Sequence, residues 1–391
     1  MKKIVLAAVC LLGIQFVKAQ NDRVITTGVP FLLIAADARA AGLADQGVAT
    51  SSDVYSMQWN PAKYSFALDQ QGVGVSYTPY LTSITNDISL GQLNYYNRFN
   101  ERSAFAASLR YFGLGDIQLT DNTGQILNEV RPNEFAIDLA YSLKLSERFS
   151  MAVAGRYIRS NLRIPTEGST DARGAGSFAF DVAGYYQSEE EAYDDFNGRY
   201  RFGFNFQNLG PKISYDNDPE LSSNFLPANM RIGGGFDFIF DEYNKVGVSV
   251  EATKLLVPTP QKLEDKNGDG EIDAADRAII NEEYQNINWV SGVFQSFGDA
   301  PDGFSEELKE FTYSLGAEYL YQDSFAFRLG YFNESKDKGA RRFFSLGAGF
   351  KYTIVKIDVS YLFSASQVRN PLENTLRFSL TFNFGEKYDE Y

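Results

Sequence analysis

Strict period-two alternation of apolar and polar residues recurs along most of this chain, and it constrains the fold more than any other feature. Leu376, Phe378, Leu380, Phe382 and Phe384 form one face of a segment whose other face is Arg377, Ser379, Thr381 and Asn383. Phe344, Leu346, Ala348, Phe350 and Tyr352 repeat the pattern, as do Ile357, Val359, Tyr361 and Phe363. Such a period places one face of a strand in apolar surroundings and the other in polar ones. Fourteen segments read this way: 71–78, 88–98, 102–114, 132–144, 148–162, 177–187, 199–209, 229–240, 244–255, 311–321, 324–333, 341–352, 355–364 and 374–384.

A soluble sandwich would alternate in the same way, but three features favour a membrane barrel. The segments are long, their apolar faces are aromatic toward the ends, and their other faces are small or polar rather than bulky. The connections add a fourth. Links after the second, fourth, eighth, tenth and twelfth segments are tight and those after odd-numbered segments are longer, which matches the short periplasmic turns and long outer loops of such barrels. QSEEEAYDDFNG, after the sixth segment, breaks the rule by its length. The 24 Tyr, 32 Phe and 33 Gly suit the same class. After the N-terminal stretch no run of about 18 apolar residues occurs, so a closed barrel is the one spanning structure left. The expected fold is therefore all-β, a transmembrane antiparallel barrel over residues 71–384 followed by a tail over 385–391.

The first residues read as an export signal over 1–19. Lys2 and Lys3 precede the apolar run Ile4 to Val17, and Ala19 is a small residue before a cleavage point at Ala19-Gln20. The sole cysteine, Cys10, leaves with it, so neither a disulfide nor a thiol nucleophile is expected in the mature chain. Histidine is absent, which removes Ser-His-Asp and Cys-His catalysis and His-ligated zinc. The net charge of −14 argues against nucleic acid as a partner. Residues 20–70 are different in kind: FLLIAADARAAGLADQGVAT is Ala-rich and partly helical in period, and WNPAKYSF follows. A barrel of this size has a lumen to fill, so the segment is expected to plug it, a periplasmic cap being the alternative.

The longest link, 256–310, is an extracellular insertion by strand parity and carries DKNGDGEIDAAD. Asp265, Asn267, Asp269 and Asp276 stand at the side-chain oxygen positions of a calcium loop, Glu271 at the backbone-carbonyl position, Asp273 at the water-mediated position and Gly270 at the turn. Position twelve is Asp rather than Glu, and Pro258 and Pro260 leave little room for an entering helix. A structural Ca²⁺ that staples the long loop is the expectation; an acidic Asx-rich turn without metal is the alternative.

Three stretches resemble the PorV (LptO) family: FLLIAADARAAGLADQGVATSSDVYSMQWNPAKYSF, NLGPKISYDND with NFLPANMRIGGGF, and GVFQSFGDAPDGFSEELKEFTYSLGAEY. WNPA alone belongs to the wider FadL-like superfamily. The resemblance implies a FadL-like outer-membrane barrel of about fourteen strands. It further implies a non-enzymatic component of the Bacteroidetes type IX secretion system, a system whose relatives support gliding motility. Its partners would be the large translocon barrel, secreted proteins recognised through C-terminal signal domains, the sortase attachment complex and outer-membrane lipid.

No residue is expected to be catalytic. Phe225, Leu226, Trp289, Phe294 and Phe297 are apolar residues in predicted outer loops and mark a partner-binding patch, the alternative being packing among loops or at membrane level. Asp138, Asp181, Glu318 and Asp358 fall on inward faces, where Arg110, Arg156, Arg328 and Arg377 are placed to pair with them. Gly233, Gly234 and Gly235 fit either a strand bulge with a lateral opening, as a FadL-like channel for hydrophobic solutes would need, or close packing of the plug.

Overall fold

A computed structural model describes residues 24–388 apart from 83, 121–122, 163–173, 216–222 and 367–369. The expected export signal and its cleavage point lie outside the described residues. Fourteen strands form one closed antiparallel sheet: β1 (Asp69–Pro79), β2 (Ile88–Arg98), β3 (Ser103–Leu114), β4 (Asn133–Lys144), β5 (Phe149–Asn161), β6 (Ala175–Gln187), β7 (Asn197–Leu209), β8 (Asn229–Ile239), β9 (Asn244–Leu255), β10 (Phe311–Tyr321), β11 (Phe325–Asn333), β12 (Arg342–Tyr352), β13 (Val355–Ser364) and β14 (Leu376–Lys387). Every strand pairs with its sequence neighbours, and β14 returns to β1 with Val75 opposite Leu380 and Tyr77 opposite Phe378. Gly385, Glu386 and Lys387, expected in a tail, belong to β14.

The alternation read from sequence is a division between lipid and lumen. On β11, Phe327 and Leu329 are 59% and 54% exposed while Arg328 between them is 4% exposed. A row of large apolar side chains left bare on the outside is costly in water and suits hydrocarbon. Tight turns follow β2, β4, β8, β10 and β12, so that end is periplasmic by the rule for outer-membrane barrels. The long link after β6 has its own account. Tyr193 and Phe196 fold back onto the outer wall, where Phe196 meets Phe238 at 5.1 Å and Phe236 at 6.3 Å, thickening the aromatic belt at that end.

One strand carries a marked irregularity beside the long loops. The β6–β7 register shifts between Phe206 and Leu209, with Asn208 at φ 57°. Gly233, Gly234 and Gly235 of β8 instead keep unbroken register on both sides, so they are not a bulge. Two of them face the plug: a Cβ on Gly233 would stand 2.6 Å from Val48 Cγ1, and one on Gly235 3.3 Å from the Ala49 carbonyl oxygen.

Candidate functional site: the plugged lumen and the long outer loop

Residues before β1 run down the inside of the barrel in three tiers. At the long-loop end Val29, Phe31 and Leu32 are buried in an apolar cluster with Leu90, Phe112, Ile158, Ala179, Ile213 and Leu226. Phe31 stacks parallel to Phe112 at 6.2 Å. In the middle, helix α1 (Ala38–Gly42) is capped by Asp37, whose Oδ1 accepts from Ala40 N at 2.8 Å and whose Oδ2 accepts from Trp59 Nε1 at 2.7 Å. Toward the short-turn end, α2 (Ser56–Trp59) leads into a 3₁₀ turn, Pro61–Phe66, that begins at Asn60. Asn60 Oδ1 accepts from Ala62 N at 3.0 Å, while its Nδ2 donates to carbonyls of both the plug (Val48, 2.9 Å) and the wall (Gly184, 2.9 Å). Lys63 is fully buried and donates to Gly47 O at 2.8 Å.

Ion pairs tie this plug to the wall. Arg39 meets Glu318 of β10 at 2.8 Å and Asp53 of the plug at 2.8 Å. Arg328 joins the same carboxylate at 2.6 Å and reaches Asp358 at 2.7 Å. On the opposite wall Asp138 receives Arg156 and lies 3.7 Å from Arg110, and Arg156 also holds Asp181 at 3.0 Å. Arg377 pairs with plug residue Asp45 at 2.9 Å. Glu251, paired with Arg231 at 2.8 Å, accepts from the plug amides of Gly47 and Val48. Buried carboxylates paired and hydrogen-bonded this fully are suited to fixing a segment in one position. Below the plug a cavity of about 430 Å³ opens toward the short turns, lined by Arg39, Asp53, Lys245, Asp323, Lys351 and Lys356 among others.

The long outer loop holds α3 (Ala274–Asn286), α4 (Trp289–Gln295) and α5 (Phe304–Glu307). Its far end is fastened by a second buried network: Lys254 to Glu307 at 3.1 Å, Lys338 to Glu306 at 2.8 Å and Glu310 at 2.9 Å, and Thr259 Oγ1 to Glu310 at 2.6 Å. In the acidic turn, Asp265 accepts from Gly268 N and Gly270 N at 2.6 and 2.8 Å, Asn267 from Asp269 N at 2.9 Å and Asp269 from Glu271 N at 2.8 Å. Asp273 caps α3, and Asp276 accepts from the Asp273, Asn267 and Lys266 amides, which holds its carboxyl below the usual range. The oxygen-only donor set is the chemistry a hard cation takes. Among the described residues no three acidic side chains converge as a metal cage.

The predicted patch divides. Phe225 and Leu226 are 4% and 2% exposed, so they are not a docking surface. Phe225 meets Tyr284 edge-on at 5.5 Å beneath the Lys212 ammonium at 4.1 Å, and Leu226 joins the apolar cluster around Phe31. Trp289 packs edge-on against Phe180 of β6 at 6.3 Å, while Phe294 and Phe297 remain exposed. Sequence reasoning did not single out Arg39, Asp53, Asn60 and Lys63. Their signal is an island of charge and amide within an otherwise small and apolar stretch, which a lumen explains and a linker does not.

The family model for the type IX secretion system protein PorV matches residues 17–262. The chain belongs to the PorV family. Membership makes it an outer-membrane component of type IX secretion, a non-enzymatic family whose partners are in general those of that system. Among solved structures it resembles the CymD monoaromatic hydrocarbon channel, with TM-score 0.51 and 13% identity over 92% of this chain and 99% of that one. It is similar also to the TodX deltaS2S3 mutant monoaromatic hydrocarbon channel, with TM-score 0.50 and 12% identity over 89% and 99% of the respective chains. At such identities the likeness is one of fold alone. No curated protein is significantly similar to the chain.

Proposed function

We propose that this protein is the partner barrel of a type IX secretion machine: it binds the large translocon barrel, receives secreted proteins through their C-terminal signal domains and passes them to the sortase attachment complex at the cell surface. The observation that carries the reading is the family match over residues 17–262. A lumen occupied by a plug that is ion-paired to β10 and β14 and hydrogen-bonded to Glu251 of β9 agrees with it, because a held plug suits a docking partner better than an open conduit. The acidic turn fits the same picture as a Ca²⁺ staple for the outer loop, with Asp265, Asn267, Asp269, Asp273, Asp276 and the Glu271 carbonyl as its oxygens. The test is made in a strain lacking the gene. Proteins with type IX C-terminal signals should fail to reach the surface, or emerge unprocessed and unattached. Normal surface delivery and processing would end the proposal.

A second reading, a channel for hydrophobic solutes, is favoured by the likeness to monoaromatic hydrocarbon channels and by the apolar cluster at the long-loop end. It predicts that the deletion strain takes up hydrophobic compounds more slowly while its secretion is intact.

A further inference from the structure

We propose that the outer loop carries a membrane anchor: helix α4 lies against the lipid-facing wall of the barrel, and Val290, Phe294 and Phe297 enter the outer leaflet beside β6. Trp289 fixes the helix against the wall. Its ring stands 6.3 Å from Phe180 at 79°, and Phe180, with Phe178, belongs to the face of β6 that is bare to the outside, 45% and 66% exposed. A loop residue that packs on that face is at the membrane surface, not above the lumen. The other side of the helix is fixed inward. A Cβ on Gly292 would stand 2.9 Å from the Phe225 ring and 3.1 Å from Pro258, and Ser296, four residues on, is fully buried. With Gly292 and Ser296 turned in, Val290, Phe294 and Phe297 are 43%, 73% and 48% exposed.

Charge separates this stretch from its surroundings. From Gln285 to Gly298 there is no ionisable residue, whereas the acidic turn precedes it and Asp299 and Asp302 follow. An anionic lipid surface repels the flanks and accepts the neutral apolar part, with the indole at headgroup depth where Trp is favoured. The site continues the existing lipid-facing wall, which is why lipid is its occupant. The same device appears at the other membrane face, where Tyr193 and Phe196 of the link after β6 return to the outer wall against Phe236 and Phe238. The insertion thus widens the aromatic belt on the β6–β8 side of the barrel.

Tryptophan fluorescence of the full chain in lipid vesicles tests this directly, because the chain has two tryptophans and Trp59 is buried in the plug. In a Trp289→Phe background, a reporter is introduced as Phe294→Trp, and independently as Phe297→Trp; both positions are exposed, so folding is retained and is checked by heat-modifiable gel mobility. Trp289→Phe alone supplies the Trp59 signal to subtract. The expected result is blue-shifted reporter emission that phosphatidylcholine brominated near the headgroup quenches and aqueous iodide does not. Quenching by iodide without quenching by bromolipid would overturn the anchor and leave the patch open to a protein. Protection from both would overturn it in favour of packing within the loop.

Discussion

Arg39 has all five of its N–H donors engaged. Nε and Nη2 hold the two oxygens of Glu318 at 3.1 and 2.8 Å, Nη1 holds Asp53 at 2.8 Å and the Ser51 carbonyl at 3.1 Å, and Nη2 also reaches Ser51 Oγ at 2.7 Å. Arg39→Ala takes a partner from the buried Glu318 and from the half-buried Asp53, a loss of about 3–5 kcal/mol for a broken buried pair. Lysine supplies one point charge in place of the fork and should not restore it. The midpoint of heat-induced mobility change on gels should fall for both variants. Asp299, in the outer loop, makes a different statement. Burial, with repulsion from Glu310 and Glu307, raises its carboxyl from 3.8 to about 6. Between those values the anchored loop holds a proton that the loosened chain releases, so anchoring weakens as pH rises through this window. Cleavage of the loop by an added protease should therefore be slower at pH 5 than at pH 7, and Asp299→Asn should flatten the difference. The acidic turn gives a third residue-scale test. Removal of Ca²⁺ by chelator should speed cleavage between 265 and 276 in the native chain and have no effect in Asp265→Ala; identical cleavage with and without chelator would remove the metal from the account.

Among the elements, the plug and the strand faces it rests on are fitted at backbone distance. A Cβ on Gly203 of β7 would lie 2.0 Å from the Val48 carbonyl oxygen, and one on Gly330 of β11 2.4 Å from the Ala44 nitrogen. Gly203→Ala should cost about 1–3 kcal/mol by overpacking. Gly155→Ala, where no atom lies within 4 Å, should be silent in the same thermal assay. These positions also show what was legible beforehand. Strand extents such as 88–98 and 244–255 were readable because each strand meets two media, and the contrast is written into alternate residues. The role of Gly233 was not, because an inward glycine that admits a plug and a glycine in a bulge are the same letter, and the deciding atom belongs to Val48, far away in the chain. Phe225 and Leu226 misled for a related reason. An apolar residue in a loop is exposed only if no other loop covers it, and here Tyr284 and the N-terminal tier do. The break in β7 did leave a local trace: Asn208-Leu209-Gly210 is turn chemistry at the end of an alternating run.

At the scale of the whole molecule, the apolar tier around Phe31, the ion-paired tier around Arg39 and the 3₁₀ turn above the lower cavity stand in series across the lumen. The intact protein should accordingly show little conductance in planar bilayers, and Arg39→Ala should raise it; equal conductance would mean that this ion pair does not govern passage. One contact in that plug reaches the seam of the barrel. The Tyr55 hydroxyl lies 2.8 Å from the carbonyl oxygen of Val75 and 3.0 Å from that of Leu380, two residues that face each other across the junction of the first strand and the last. The first strand and the last are thus bridged by a side chain of the N-terminal segment. Plug and seam form one joint: a single side chain of the N-terminal segment holds the place where the two edges of the sheet meet.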